Sequence, residues 1–234
     1  MPVVSVGVIS RVAVVPHPPL LVPELSPGSA GPLREACLAA VSRLGDRWLA
    51  VGGHDEDLTI EPQSAGSFGG YGVDVPVSLS RDRIGPSDLP LPALVAGWLR
   101  ERAGAASVRV RLIERRTEPA DCARLGKQLA DADETGLLVL ADGSNRHGPR
   151  APGSEDGRAP GFDRAVAEAL ANADAEALLA LDPRLAEDLG AGGRAPWQAL
   201  AGLGPGWRAE LLYSAAPFGV GYHVAVWERE HQSK

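Results

Sequence analysis

Apolar residues recur along this chain with two periods, near two in short Val- and Leu-rich runs and near 3.6 in longer Ala- and Leu-rich ones. Residues 8–15 (VISRVAVV) read as a strand that stops at Pro16. Pro16, Pro18, Pro19 and Pro23 then exclude regular helix or ladder from the next stretch. Residues 29–44 carry apolar positions at helical spacing, and 48–51 form a short buried strand feeding Gly52-Gly53. The stretch 54–72 is loop-rich, and 73–79 alternates as a strand does. Helices are predicted at 91–103 and 120–130, with an alternating strand at 108–113 between them. The run GLLVL at 136–140 has no polar position, as expected of a central strand covered on both faces. A long Gly/Pro-rich loop follows at 142–161, then Ala/Leu/Glu-rich helices over 162–189, punctuated by Asp182-Pro183. Residues 191–206 read as a turn-rich connector around Trp197, and 208–213 and 222–228 as closing strands. Strands alternating with helices predict an α/β layered domain with a mixed or parallel sheet. No repeat and no composition break divides it, so residues 1–234 are read as a single domain.

Composition narrows the function classes. At 234 residues, 44% hydrophobic and 23% charged, the chain can bury a sizeable core. The net charge of −7 argues against a nucleic-acid surface or a basic membrane patch, both of which need clustered cations. Lysine occurs only at Lys127 and Lys234, which leaves Schiff-base chemistry one internal candidate. Cys37 and Cys122 lie far apart with no C-x-x-C, so they read as small buried apolar residues rather than a disulfide or zinc site. The start, MPVVSVGVIS, lacks a basic segment and a small-residue cleavage site. The uncharged stretch near the other end is broken by Pro217, Gly219 and Gly221. Both features lead us to expect a soluble, cytoplasmic chain with no membrane partner.

The chemistry-bearing residues cluster after predicted strands, where open α/β sheets collect their sites. These loops carry Pro16-His17-Pro18-Pro19, Gly52-Gly53-His54-Asp55, Asp142-Gly143-Ser144-Asn145-Arg146-His147, and the run from Ser214 to Tyr222. His17 sits in a rigid proline frame and His54 beside two glycines. Two histidines and one carboxylate on one face form the arrangement that holds non-haem Fe(II) with positions open for substrate and oxygen. No G-x-S-x-G elbow, P-loop, G-x-G-x-x-G or H-E-x-x-H is present. Ser144 reads as a turn residue, His223 as a sheet-packing residue, and Tyr222 and Trp227 as core aromatics.

Five segments in order resemble a known family: VPHPPLLVPEL (15–25), VGGH (51–54), GSFGGYGVDVP (66–76), LADGSNRHGPRAP (140–152) continuing to Pro160-Gly161-Phe162-Asp163, and SAAPFGVGYHVA (214–225). Together they resemble the class III extradiol ring-cleavage dioxygenases, in the LigB-like branch that also contains the Memo proteins. The resemblance implies a three-layer α/β sandwich with a central mixed, largely parallel sheet. It implies Fe(II) held by two histidines and a glutamate, a catechol-type aromatic substrate, and a further histidine as acid/base. Self-association is common in such proteins. His17 matches the first ligand and His54 the second, although the usual S-P-H is G-G-H here. The other two positions depart from the pattern. Asn145 stands where the acid/base histidine is expected, and Ala215 where the third ligand is expected. Asparagine does not shuttle protons near neutral pH and alanine binds no metal. His147 is the candidate replacement for the acid/base and Asp142 for the third ligand. Glu210, an odd number of residues before Ala215, would face the other way on a regular strand. Two expectations follow: a ring-cleaving enzyme with a rearranged site that holds iron weakly, or a binding or scaffold protein of the same fold that has lost iron chemistry.

Overall fold

The computed structural model describes residues 9–82, 85–132 and 136–230. The apolar N-terminal run, Val8 at the head of the first predicted strand, and Lys234 lie outside these residues. The main sheet contains β1 (Arg11–Val15), β2 (Arg47–His54), β3 (Leu58–Ile60), β7 (Ser107–Glu114), β8 (Gly136–Leu140), β9 (Trp207–Ala215) and β10 (Tyr222–Arg229). Its order is β3-β7-β2-β8-β1-β10-β9. The four central strands β7, β2, β8 and β1 are mutually parallel, and β3, β10 and β9 are antiparallel to their neighbours. This is the mixed, largely parallel sheet of an α/β protein.

Helices cover both faces. One face carries α1 (Gly31–Val41) and α2 (Leu91–Ala103). The other carries α3 (Pro119–Ala130), α4 (Ala159–Ala171), α5 (Ala175–Leu179), α6 (Pro183–Asp188) and α7 (Arg194–Ala201). The period of two along β8 sends Leu138 and Leu140 into the first core and Leu137 and Val139 into the second. All four side chains are removed from water, which is why this strand shows no polar position.

Two predicted stretches are corrected. Residues 54–72 are not a plain loop: they hold β3, β4 (Ser64–Ser67) and a 3-10 turn at Phe68–Tyr71. With β5 (Pro76–Ser78) and β6 (Gly85–Pro86), β4 makes a second sheet in the order β5-β4-β6. This small sheet helps to cover α2, which buries residues all round its axis. Arg100 is carried into that interface because its guanidinium donates to the Ser78 carbonyl at 3.1 Å and the Ala105 carbonyl at 2.8 Å. The predicted connector 191–206 contains α7, whose every residue is buried. Pro196 and the flanking glycines disguise it, yet a proline in the first turn removes no intrahelical bond. Arg194 anchors its start, donating to the Thr117 carbonyl at 2.5 Å and to Gln198 Oε1 at 2.9 Å.

Helices α3 and α7 approach through glycine. A Cβ built at Gly126 would lie 2.0 Å from the Ala199 carbonyl oxygen and 2.7 Å from Gly202 Cα. Helix propensity alone favours Gly126→Ala by about 1 kcal/mol. The contact predicts the opposite sign: this variant should lose about 2 kcal/mol through forced separation of two backbones. The urea midpoint of wild type against variant reads that sign directly.

Candidate functional site

Because β1, β8 and β2 are adjacent and parallel, their carboxyl ends set three side chains in a row: His17 just after β1, Asp142 just after β8, and His54 at the end of β2. The flanking pair is separated by two strand spacings, about 10 Å of backbone. His17, His54, Asp142 and Asn145 all line one cavity of about 1000 Å³, together with Pro18, Tyr222 and Arg115 among others. Asp142 accepts the His17 backbone N–H at 3.0 Å, and its second oxygen lies 3.5 Å from His17 Nδ1. The Asp142 charge is felt at Tyr222, whose hydroxyl is pushed well above the usual tyrosine range by burial first and Asp142 second. The same two causes, in the same order, raise the buried Cys37 thiol. The cavity rim is paired: Arg115 meets Asp55, and Arg116 meets Glu187 at 2.5 Å.

Two buried polar atoms on residues of this cavity have no hydrogen-bond partner, His17 Nδ1 and Asn145 Oδ1. The Asn145 amide is hemmed in by Gly153 and Gly190, where a Cβ would come within 2.2 and 2.3 Å of it. With both glycines pressed against the amide, a bulkier imidazole here would have to displace one of them, a physical reason for the departure at this position. The G-G-H sequence has a similar reason. A Cβ at Gly53 would lie 2.8 Å from the Gly192 carbonyl, so the end of β2 is pressed against the α6–α7 loop.

The residues present do not fit the Fe(II) that the resemblance implies. Among the described residues, no three His, Cys, Asp or Glu side chains gather so as to hold a metal ion. One Asp142 oxygen is taken by the His17 N–H, and Ala215 lies on a different cavity.

The long loop 141–158 is ordered by a backbone zipper. Gly143 N–H donates to the Gly221 carbonyl, Gly221 N–H to the Ser144 carbonyl and His147 N–H to the Gly219 carbonyl, at 2.8, 2.8 and 3.1 Å. On the other side, Asn145 N–H donates to the Leu189 carbonyl at 3.1 Å and Gly193 N–H to that of Asp142 at 2.8 Å. Successive residues thus serve different neighbours, which satisfies a buried loop's polar backbone.

His147 is not brought to the first cavity. Its Nε2 meets Asp163 Oδ2, and it lines a second cavity of about 420 Å³. Asp163, on α4, also accepts the Ser144 N–H at 3.2 Å on both oxygens and faces His223 Nε2 at 3.3 Å. A Cβ at Gly143 or Gly221 would strike an Asp163 oxygen at 2.3 or 2.1 Å. The glycines of D-G-S-N and G-V-G-Y therefore make the socket for this carboxylate. Reading His223 as sheet packing missed this partnership. The F-D pair at 162–163 was the one signal in the sequence, and it gives no hint that two histidines converge on it.

Glu210 pairs with Arg43 at 2.7 Å, on the α1 side. The parity argument that placed it meets a β-bulge in β9, where the pairing slips so that Tyr213 faces Val224 and Leu211 faces Ala225. The extra residue inverts the facing of everything after it.

Comparison with known proteins agrees with this architecture. An α/β domain with its cleft at the carboxyl ends of parallel strands is the class that the fold defines. Residues 112–225 match the family described as the catalytic LigB subunit of aromatic ring-opening dioxygenase. That stretch holds Asp142, Asn145, His147 and Asp163, whereas His17 and His54 precede it. A search of curated proteins found no match. Among solved structures, the uncharacterized protein JW3007 from Escherichia coli K12 is similar with a TM-score of 0.53 at 10% identity, over 94% of this chain and 99% of that one, which shows a shared fold. No helix among the described residues is long and apolar enough to cross a membrane.

The socket predicts a specific response. Gly221→Ala should displace the Asp163 carboxylate and cost about 2 kcal/mol. The imidazole resonances of both His147 and His223 should move in its NMR spectrum, while those of His17 and His54 stay in place.

Proposed function

We propose that this protein binds a small hydroxylated aromatic molecule, of catechol type, in the 1000 Å³ cavity at the carboxyl ends of β1, β8 and β2. The observation that carries this reading is the gathering of His17, His54, Asp142 and Asn145 on that one cavity, two of them with a buried atom that has no hydrogen bond, His17 Nδ1 and Asn145 Oδ1. A buried polar atom without a partner costs on the order of 1–3 kcal/mol, and a ligand hydroxyl that these side chains turn to meet recovers it. Two vicinal O–H groups offer two donors on one rigid ring. The Asp142 carboxylate beside His17 is a further acceptor on the same wall. Tyr222, with its proton held firmly, is a further donor.

Binding without iron chemistry is favoured because Asn145 occupies the acid/base position and Ala215 lines a different cavity. The whole chain, 1–234, is read as one LigB-like domain, since one sheet runs from β1 to β10. Two free, buried thiols support a cytoplasmic location.

Fe(II)-dependent ring opening is the second reading. It is favoured by the description of the matching family and by His17, His54 and Asp142 sharing one cavity. It requires those donors to close up from their present positions.

Calorimetric titration of metal-free protein with catechol and with phenol separates diol recognition from general aromatic affinity. We expect catechol to bind at least tenfold more tightly, with His17→Ala and Asn145→Leu each weakening it about tenfold, as the loss of one hydrogen bond would. Equal affinity for the two ligands, or variants that bind as wild type does, would sink the binding reading. For the second reading, Fe(II) is added anaerobically, bound metal is counted, and oxygen uptake with several catechols is followed. Stoichiometric iron lost in His17→Ala, with uptake, would establish ring opening; no iron and no uptake would end it.

A further inference from the structure

The second cavity contains a line of four polar side chains. Ser214 Oγ lies 3.0 Å from His223 Nδ1, His223 Nε2 lies 3.3 Å from Asp163 Oδ1, and Asp163 Oδ2 meets His147 Nε2. All four residues line the 420 Å³ cavity, and Ser214 is exposed at its wall while His223 and Asp163 are buried. We propose that this is a second, independent site in which Ser214 is a nucleophile toward short-chain carboxylic esters, with His223 as its general base and Asp163 as a positioning residue.

The polarity of the line supports the assignment. Asp163 is an acceptor that receives the Ser144 backbone N–H and faces one nitrogen of each imidazole. In the tautomer that donates from His223 Nε2 to this carboxylate, the ring presents a lone pair at Nδ1, the atom that faces the Ser214 hydroxyl. A serine oxygen, an imidazole lone pair and a carboxylate in this order are the elements of an activated nucleophile, recognisable by geometry on unrelated folds.

Several features build the site for this purpose. Ser214 and His223 are cross-strand partners on β9 and β10. The bulge at 211–213 turns Ser214 onto the α4 side; Leu211 and Ser214, three residues apart, both line the cavity. The glycine socket at 143 and 221 holds Asp163 against movement, and Trp197 packs against the His223 ring at a centroid distance of 6.1 Å. The walls near Ser214 are apolar (Leu211, Ala215, Ala167 and Ala171), and the small volume suits a short acyl chain.

The step balances without an external oxidant or reductant. Ser214 Oγ bonds to the ester carbonyl carbon as its proton passes to His223 Nδ1. The bond from that carbon to the alcohol oxygen breaks, and the proton leaves with the alcohol. Water then repeats the sequence at the acyl-serine, releasing the carboxylic acid and returning the proton to Ser214.

A fluorophosphonate probe tests this on the intact protein, with peptide mapping by mass spectrometry. Covalent label at Ser214, absent in Ser214→Ala and slowed at least 100-fold in His223→Gln, supports the site, as does turnover of p-nitrophenyl acetate that follows the same order. His223→Gln alters a buried position, so a second variant guards against loss of fold. In Ser214→Cys, which changes an exposed side chain, the iodoacetamide rate should titrate well below the ordinary thiol range because of the adjacent imidazole. No label at Ser214, label that persists unchanged in His223→Gln, or a Ser214→Cys thiol that titrates normally would overturn the proposal. None of these outcomes depends on ligand binding in the larger cavity, so the two readings stand or fall separately.

Discussion

A single carboxylate, Asp163, fixes the geometry of the smaller cavity and of the loop that borders both cavities. It enters from α4 between two glycines that leave it no slack, and it ties the backbone of Ser144 to His147 and His223. A carboxyl group at 5% exposure is tolerable only when its oxygens have polar partners, and here a backbone N–H and two imidazoles face them. The long loop after β8 takes its course from that anchor. Gly143 and His147 are stitched to the β9–β10 turn, and Asp142 and Asn145 to the region before α7.

This course divides the loop between two cavities. Asp142, Gly143 and Asn145 border the larger one, whereas His147 is turned to the smaller one beside Asp163 and His223. A histidine two residues past the expected acid/base position is thus placed beside a carboxylate of its own, on the smaller cavity. Two residues of the larger cavity, His17 and Asn145, each keep a buried polar atom without a hydrogen bond. The smaller one has its polar atoms already paired in a line, a property of a prearranged proton path. The likeness to the catalytic LigB subunit family over residues 112–225 takes in the loop after β8 and the β9–β10 turn. The side chains at those positions decide the present chemistry.

Apolar runs with clear end signals were legible in the sequence. Helix α2 and strand β8 were expected at the bounds the structure gives them, 91–103 and 136–140, because α2 is closed by Gly104 and β8 is an unbroken apolar run that stops before Asp142. Helix α7 was not legible, since Pro196 and the surrounding glycines carry turn signals that tertiary burial overrides. The small β5-β4-β6 sheet was equally hidden, its strands being too short to show a period. At the site, the proline frame of His17 and the glycines beside His54 were visible as loops after strands, and both histidines do line one cavity.

What the sequence determined by itself was the layering and the ends at which chemistry collects, because hydrophobic period and strand-end loops are local properties. What only the tertiary structure decided was pairing at a distance: Asp163 with His147 and His223, Asp142 with the N–H of His17, and the bulge that brings Ser214 round to His223. These contacts join residues from 9 to 125 positions apart. No local pattern encodes them, since they depend on which strands are neighbours and on where a backbone without a Cβ lets another group approach.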